Sequence, residues 1–245
     1  MNKMYNRRQN KLLKNIFKIL NLLIFVIVLA TIAKIFLPNF TKIDYRESVD
    51  LAQDEIGVNM QLDYIPMTNP PILQEGEIYL PIDFVKEYID QYIYWDKEEN
   101  KLTITNENNV IRMKTDELEY FVNNEPLELD LPIYNIDEVA YMPKLFLQDF
   151  YGLNFEYIEQ TKILDIVKDD YKKSSLKSNT RLRKGANKKS PFVEKLKKGD
   201  TVYFYENEQN GYTKIKTNNG YIGFVPTNLL ENIQDINIQN NYEND

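Results

Sequence analysis

Residues 78–105 read IYLPIDFVKEYIDQYIYWDKEENKLTIT, and residues 140–167 read AYMPKLFLQDFYGLNFEYIEQTKILDIV; the two align without a gap at a constant offset of 62. Tyr79 falls on Tyr141, Pro81 on Pro143, Phe84 on Phe146 and Val85 on Leu147. The match continues through Ile93 on Phe155, Trp95 on Tyr157, Leu102 on Leu164 and Ile104 on Ile166. An internal repeat means one supersecondary unit used twice, so it governs the fold before local detail does. Each copy predicts a short strand ending at the proline, whose fixed φ suits the first turn of a helix. Phe84, Val85, Tyr88 and Ile89 then form one apolar helical face, repeated by Phe146, Leu147, Phe150 and Tyr151. Residues 92–95 and 101–104 are strand-like around a polar turn at 96–100. Between the copies, residues 110–114 and 118–122 alternate well enough for a further hairpin, closed by Asn123-Asn124. The fold class expected for residues 58–170 is an α+β repeat domain, two β-α-β-β units with two helices packed on antiparallel strands.

Upstream, residues 16–37 read IFKILNLLIFVIVLATIAKIFL. No charge interrupts the run between Lys18 and Lys34, and about 19 apolar residues match a hydrocarbon core of roughly 30 Å at 1.5 Å per residue. Lys3, Arg7, Arg8, Lys11 and Lys14 precede it, and no acid occurs before Asp44. The positive-inside rule then predicts a single-pass anchor, with residues 1–15 cytoplasmic and everything after Pro38 across the membrane. A cleaved signal peptide is the competing reading, with Thr31-Ile32-Ala33 as a weak cleavage site, but the apolar run is long for one. Residues 38–57 are expected to be a linker with a helical turn or two within 46–55.

Charge divides the rest of the chain. Residues 41–170 carry 10 basic and 29 acidic side chains, whereas residues 171–245 carry 13 and 8. A shift of that size near residue 170 marks a domain boundary. There is no cysteine, so an extracytoplasmic chain of this kind folds by its cores alone. The absence of histidine as well removes triads, thiolate nucleophiles and histidine-ligated metals from the chemistry these residues can do. Acidic pairs are plentiful (Glu98-Glu99, Asp116-Glu117, Glu156 with Glu159, Asp169-Asp170), but they fall in turns and strand edges, where solvent discourages the pKa separation of a glycosidase pair.

Residues 174–232 alternate as five short strands separated by Gly and Asn turns, the pattern of a small antiparallel barrel. Residues 233–245 form a polar, Asn-rich tail expected to be disordered. The repeat in residues 58–170, with its Tyr-x-Pro-x-x-Phe start and Trp/Tyr strand, resembles the N-terminal (stalk) domain of copper amine oxidases. Gly152 fits that pattern, while the first copy has Asp90-Gln91 in its place. The resemblance implies a spacer or surface module, since the copper chemistry belongs to another domain and no histidine is present here. Residues 174–232 resemble the bacterial SH3 (SH3b) domain through four blocks. These are the stretch from Thr180 to Gly185, the spacing of Leu196, Gly199 and Val202, Gly211-Tyr212-Thr213-Lys214-Ile215, and the run from Gly220 to Leu229. Tyr212 stands where Trp is frequent.

The order anchor, stalk domain, SH3b resembles the front half of Gram-positive cell-wall or spore-cortex glycoside hydrolases of the chitinase-like family. Their Asp-x-x-Asp-x-Asp-x-Glu motif is absent here. What this implies is a non-catalytic module of the cell envelope, with no cofactor, that recognises peptidoglycan or its peptide stems. Tyr203, Tyr205, Tyr212, Tyr221 and Phe224 are the candidate ligand-binding residues, since aromatic faces stack on glycans and peptides. Strand alternation puts Tyr203 and Tyr205 on one face and Val202 and Phe204 on the other, so only two or three of the five are expected to be free. Two rival readings stay open: the targeting half of a hydrolase, and an envelope protein scaffold. Nucleic acid is not an expected partner beyond a membrane.

Overall fold

The computed structural model describes residues 2–106, 108–167, 171–206 and 208–236, with side chains from Lys14 onward. Helix α1 (Asn2–Phe36) is followed by one helical turn, α2 (Tyr45–Ser48), capped by the Asp44 carboxylate, which accepts from the backbone N–H groups of Arg46 and Glu47. Within α1, Lys14–Phe36 is long and apolar enough to cross a membrane, and its side chains are exposed. The expected linker ends in a strand, β1 (Gly57–Met60).

The repeat region runs β2 (Asp63–Ile65), β3 (Ile72–Gln74), β4 (Glu77–Pro81), α3 (Ile82–Tyr88), β5 (Tyr94–Asp96), β6 (Lys101–Thr105), β7 (Val110–Lys114), β8 (Glu119–Val122) and β9 (Glu125–Glu128). It continues as β10 (Tyr134–Ile136), β11 (Val139–Pro143), α4 (Lys144–Tyr151), β12 (Asn154–Ile158) and β13 (Ile163–Val167). Pro81 and Pro143 each stand at the helix N-cap with φ −65°, and Gly152 closes α4 in the left-handed region at φ 64°.

The two copies do not build separate sheets. Their first strands pair with each other, Tyr79 opposite Pro143, Leu80 opposite Met142 and Pro81 opposite Tyr141, an antiparallel pair centred on Leu80 and Met142. β10 and β3 extend that sheet at its edges. The hairpins go elsewhere with equal register: Trp95 opposes Leu102 as Tyr157 opposes Leu164. β5-β6 is extended by β7, β8 and β9, whereas β12-β13 is extended by β1, which lies parallel to β13, and β2. One apolar core unites these sheets, with Leu80, Val85, Leu102, Ile104, Met142, Leu147 and Leu164 all fully buried. The pair Asn123-Asn124, expected to close the β7-β8 hairpin, instead joins β8 to β9, both residues having positive φ as a two-residue hairpin turn requires.

The basic region forms β14 (Tyr171–Leu176), β15 (Thr180–Arg183), β16 (Phe192–Leu196), β17 (Thr201–Phe204), β18 (Glu208–Gln209), β19 (Tyr212–Thr217), β20 (Ile222–Pro226), a 3-10 turn and β21 (Leu230–Ile236). Eight strands replace the expected five, in the order β16-β15-β20-β19-β17-β14-β21, with β18 on β19. The extra length comes from β14 and β21, which pair along their length, Lys173 opposite Gln234 and Tyr171 opposite Ile236. Residues 233–236 are therefore strand and not tail, and residues 237–245 lie outside the described residues. Val202, Phe204, Ile215, Val225, Leu182 and Leu196 fill the barrel.

Candidate ligand-binding face and module junction

Strand alternation turns Val202, Phe204 and Ile215 inward, so Tyr203, Tyr205, Tyr212, Lys214, Lys216 and Phe224 stand on the outer face of β17, β19 and β20. Four of the five sequence candidates thus share one face, but one end of that face is docked against the repeat domain. Tyr203 sits edge-on to Tyr171 with centroids 5.4 Å apart, and the Lys216 ammonium lies 5.3 Å from the Tyr203 ring. Tyr203 and Tyr205 line a narrow crevice with Gln61, Leu62, Asp165 and Lys216. Tyr221 stacks on Tyr45 of the linker at 4.4 Å. Tyr212 and Phe224 are half-buried on the same face: Tyr212 opposes Pro226, and Lys214 opposes Phe224. Lys214 pairs with the exposed Asp63 at the start of β2, at the margin of the junction.

The junction is built from groups of both modules. Asp165 on β13 and Lys216 on β19 are each about 95% buried and form an ion pair in direct contact, with Glu156 a further 3.8 Å from the ammonium. Burial pushes the Asp165 carboxyl above its ordinary value, and the neighbouring ammonium opposes that push. Beside the pair, the fully buried Asn59 donates to the Gly220 carbonyl at 2.7 Å, and the Thr161 hydroxyl donates to the Asn219 carbonyl at 2.9 Å. Gly220 has φ 74°, and a Cβ there would stand 2.7 Å from Ile158 Cδ1, so glycine is required by both conformation and space. Leu62, buried in the left-handed region at φ 64°, and Ile163 belong to the barrel's core cluster, although both come from the repeat domain. Sequence reading missed this cluster. The signal for it was the lone acid inside the apolar run Ile163-Leu164-Asp165-Ile166-Val167, since a buried carboxylate demands a partner.

The linker is the second fastening. Phe192 N–H donates to the Thr41 carbonyl at 3.0 Å, and Ile43 N–H donates to the Phe192 carbonyl at 2.9 Å. Asn39 N–H donates to the Lys188 carbonyl at 2.8 Å, and Arg183 donates to the Asn39 carbonyl at 3.0 Å. Lys189 donates to the carbonyls of Lys34, at 2.6 Å, and Leu37, capping the C-terminal end of α1. Only Leu37 and Pro38 separate α1 from this clamp. The barrel, last in sequence, is therefore packed against the end of the apolar helix.

A second concavity, of about 250 Å³, opens on the repeat domain beside α4, lined by Tyr120, Leu129, Leu145, Phe146 and Phe150 with Glu128, Asp130 and Asp149 at its rim. The acidic pair Glu98-Glu99 lies in an exposed turn, its N–H groups bonded to the Asp96 carboxylate; Asp169-Asp170 lies outside the described residues. Among the described residues no group of three or more acids is arranged to hold a metal ion.

Residues 59–166 match the family described as copper amine oxidase N-terminal domain, and residues 178–231 match the bacterial SH3 domain family. Neither the curated proteins nor the solved structures contain a match to the chain. The chain carries a copper amine oxidase N-terminal domain followed by a bacterial SH3 domain.

Proposed function

We propose that the protein is a membrane-anchored, extracytoplasmic module of the cell envelope that recognises peptidoglycan or its peptide stems without catalysing a reaction. The two detected domains are of binding and spacer type, and a helix able to span the membrane precedes them. The observation that carries the reading is the outer barrel face on which Tyr212, Lys214, Phe224 and Pro226 lie side by side, two aromatic platforms beside the Lys214–Asp63 ion pair. We also read the two related stretches as duplicated β-α-β-β units, which the equal register of their hairpins supports.

The layout of the mechanism differs from the one the domain order suggests. A distal SH3b domain held out on a stalk would sample the wall at the end of a spacer. Here the barrel is fastened to the helix end and the repeat domain to the barrel, so the barrel face is held close to the bilayer and the repeat domain carries the surface beyond it. Tethering raises the local concentration of a weak site, so modest affinity suffices.

Retention of the detergent-solubilised full chain on purified peptidoglycan tests this. Tyr212→Ala and Phe224→Ala are each expected to lower retention about tenfold, the effect of ~1.4 kcal/mol. Equal retention of both variants and the parent would remove the barrel face from the account. A second reading, a scaffold for an envelope protein, rests on the acid-rimmed apolar groove beside α4. Retention of the chain by a basic partner peptide, lost on Phe150→Glu, would favour it.

A further inference from the structure

The surface around the end of α1 is rich in lysine and arginine. Two segments form it, residues 34–43 (KIFLPNFTKI) and residues 181–193 (RLRKGANKKSPFV), and neither contains an acid. The clamp described above holds them together through Asn39, Thr41, Ile43 and Lys189. Lys34, Lys42, Lys184, Lys188 and Lys189 are all exposed on this surface. Phe36, Leu37 and Phe40 are exposed too, at 65%, 57% and 57%, and the Arg181 guanidinium lies 4.7 Å over the Phe40 ring. Apolar side chains that continue directly from a spanning helix, ringed by lysines that outnumber the neighbouring carboxylates of Asp44 and Glu194, match the chemistry of a bilayer interface. The place of this surface, two residues beyond the helix, puts it at headgroup depth.

We propose that this collar binds the anionic phospholipid headgroups of the outer leaflet, so that the SH3 barrel rests on the membrane. The anchor fixes the depth, and the lysines fix the orientation of the barrel about the helix axis. The proposal rests on the reading of α1 as a spanning anchor. Because charge attraction of exposed lysines is screened, the contact weakens as salt rises.

The test uses the full chain reconstituted in nanodiscs of phosphatidylcholine alone or with a minority of phosphatidylglycerol, followed by amide hydrogen exchange. Peptides covering residues 184–192 and 38–43 are expected to exchange several-fold more slowly in the anionic discs, with β12 and β13 unchanged. The paired substitution Lys184→Glu with Lys188→Glu, which spares the capping Lys189, is expected to abolish the difference while leaving β12 and β13 unchanged. Equal exchange in both disc compositions overturns the proposal. Protection by soluble poly(glycerol phosphate) but not by anionic discs also overturns it, and assigns the surface to a wall polymer. A chain that enters neither disc overturns the anchor reading itself, and the collar with it.

Discussion

At the scale of single residues, the junction is held by charges in places where charges are costly. Asp165 and Lys216 are buried together, and such a pair is worth little in net stability although breaking it is expensive. Asp165→Asn leaves the buried ammonium with only the exposed Glu156 carboxylate, 3.8 Å away, and is expected to cost about 3 kcal/mol in urea unfolding. The double replacement Asp165→Leu with Lys216→Met is expected to recover most of that loss. If the single and double variants are equally destabilised, the pair is not what the junction depends on. Glu194 adds a pH dependence. Burial raises its carboxyl above the ordinary range, against the Asn219 amide that donates to it at 2.9 Å. A carboxyl raised in the folded state holds its proton more tightly there than in the unfolded chain. Its contribution is therefore complete below the unfolded value and lost as pH climbs through the folded one. Glu194→Gln is expected to flatten the fall in melting temperature just above the ordinary carboxylate range; an unaltered profile would contradict this.

At the scale of elements, what the sequence made legible was whatever depends on local period. The repeat offset, the prolines at both helix starts and the hairpin registers follow from side chains close in sequence, and the alternation of β17 sorted Tyr203 from Phe204 correctly. What escaped were pairings between distant segments. β1 lies parallel to β13, more than 100 residues away in the chain, and nothing in Gly57-Val58-Asn59-Met60 names that partner. Asn123-Asn124 signals a turn but not which strands it joins. The linker was unreadable for the same reason, since residues 38–44 have no apolar period and owe their order to Phe192, Lys188 and Arg183. Ile43→Pro removes the N–H that meets the Phe192 carbonyl and is expected to cost about 1–3 kcal/mol. Hydrogen exchange should register it as loss of protection at the Phe192 amide, whose own partner is Thr41, with β19 spared. Unchanged protection of Phe192 would mean that the clamp does not depend on this bond.

At the scale of the whole molecule, the account turns on two domains, separable by charge and by family, behaving as one body. Leu62 and Ile163 of the repeat domain lie in the barrel's core, Asn59 and Thr161 hold the loop at 217–221, and the linker stitches the barrel to the helix. The aromatic face then has a fixed position relative to the end of α1, which a barrel on a flexible tether would lack. Either domain expressed alone would expose the surfaces that the junction buries. The measurement that tests this most directly is denaturant unfolding of the full chain followed at two places. Trp95, the only tryptophan, reports on the repeat domain by its fluorescence. A single label on Lys198→Cys, unique because the chain has no cysteine, reports on the barrel. The account predicts coincident transitions with one midpoint, separating when Asp165→Asn weakens the junction. Two separate transitions in the parent chain would contradict it, and would return the barrel to a tether.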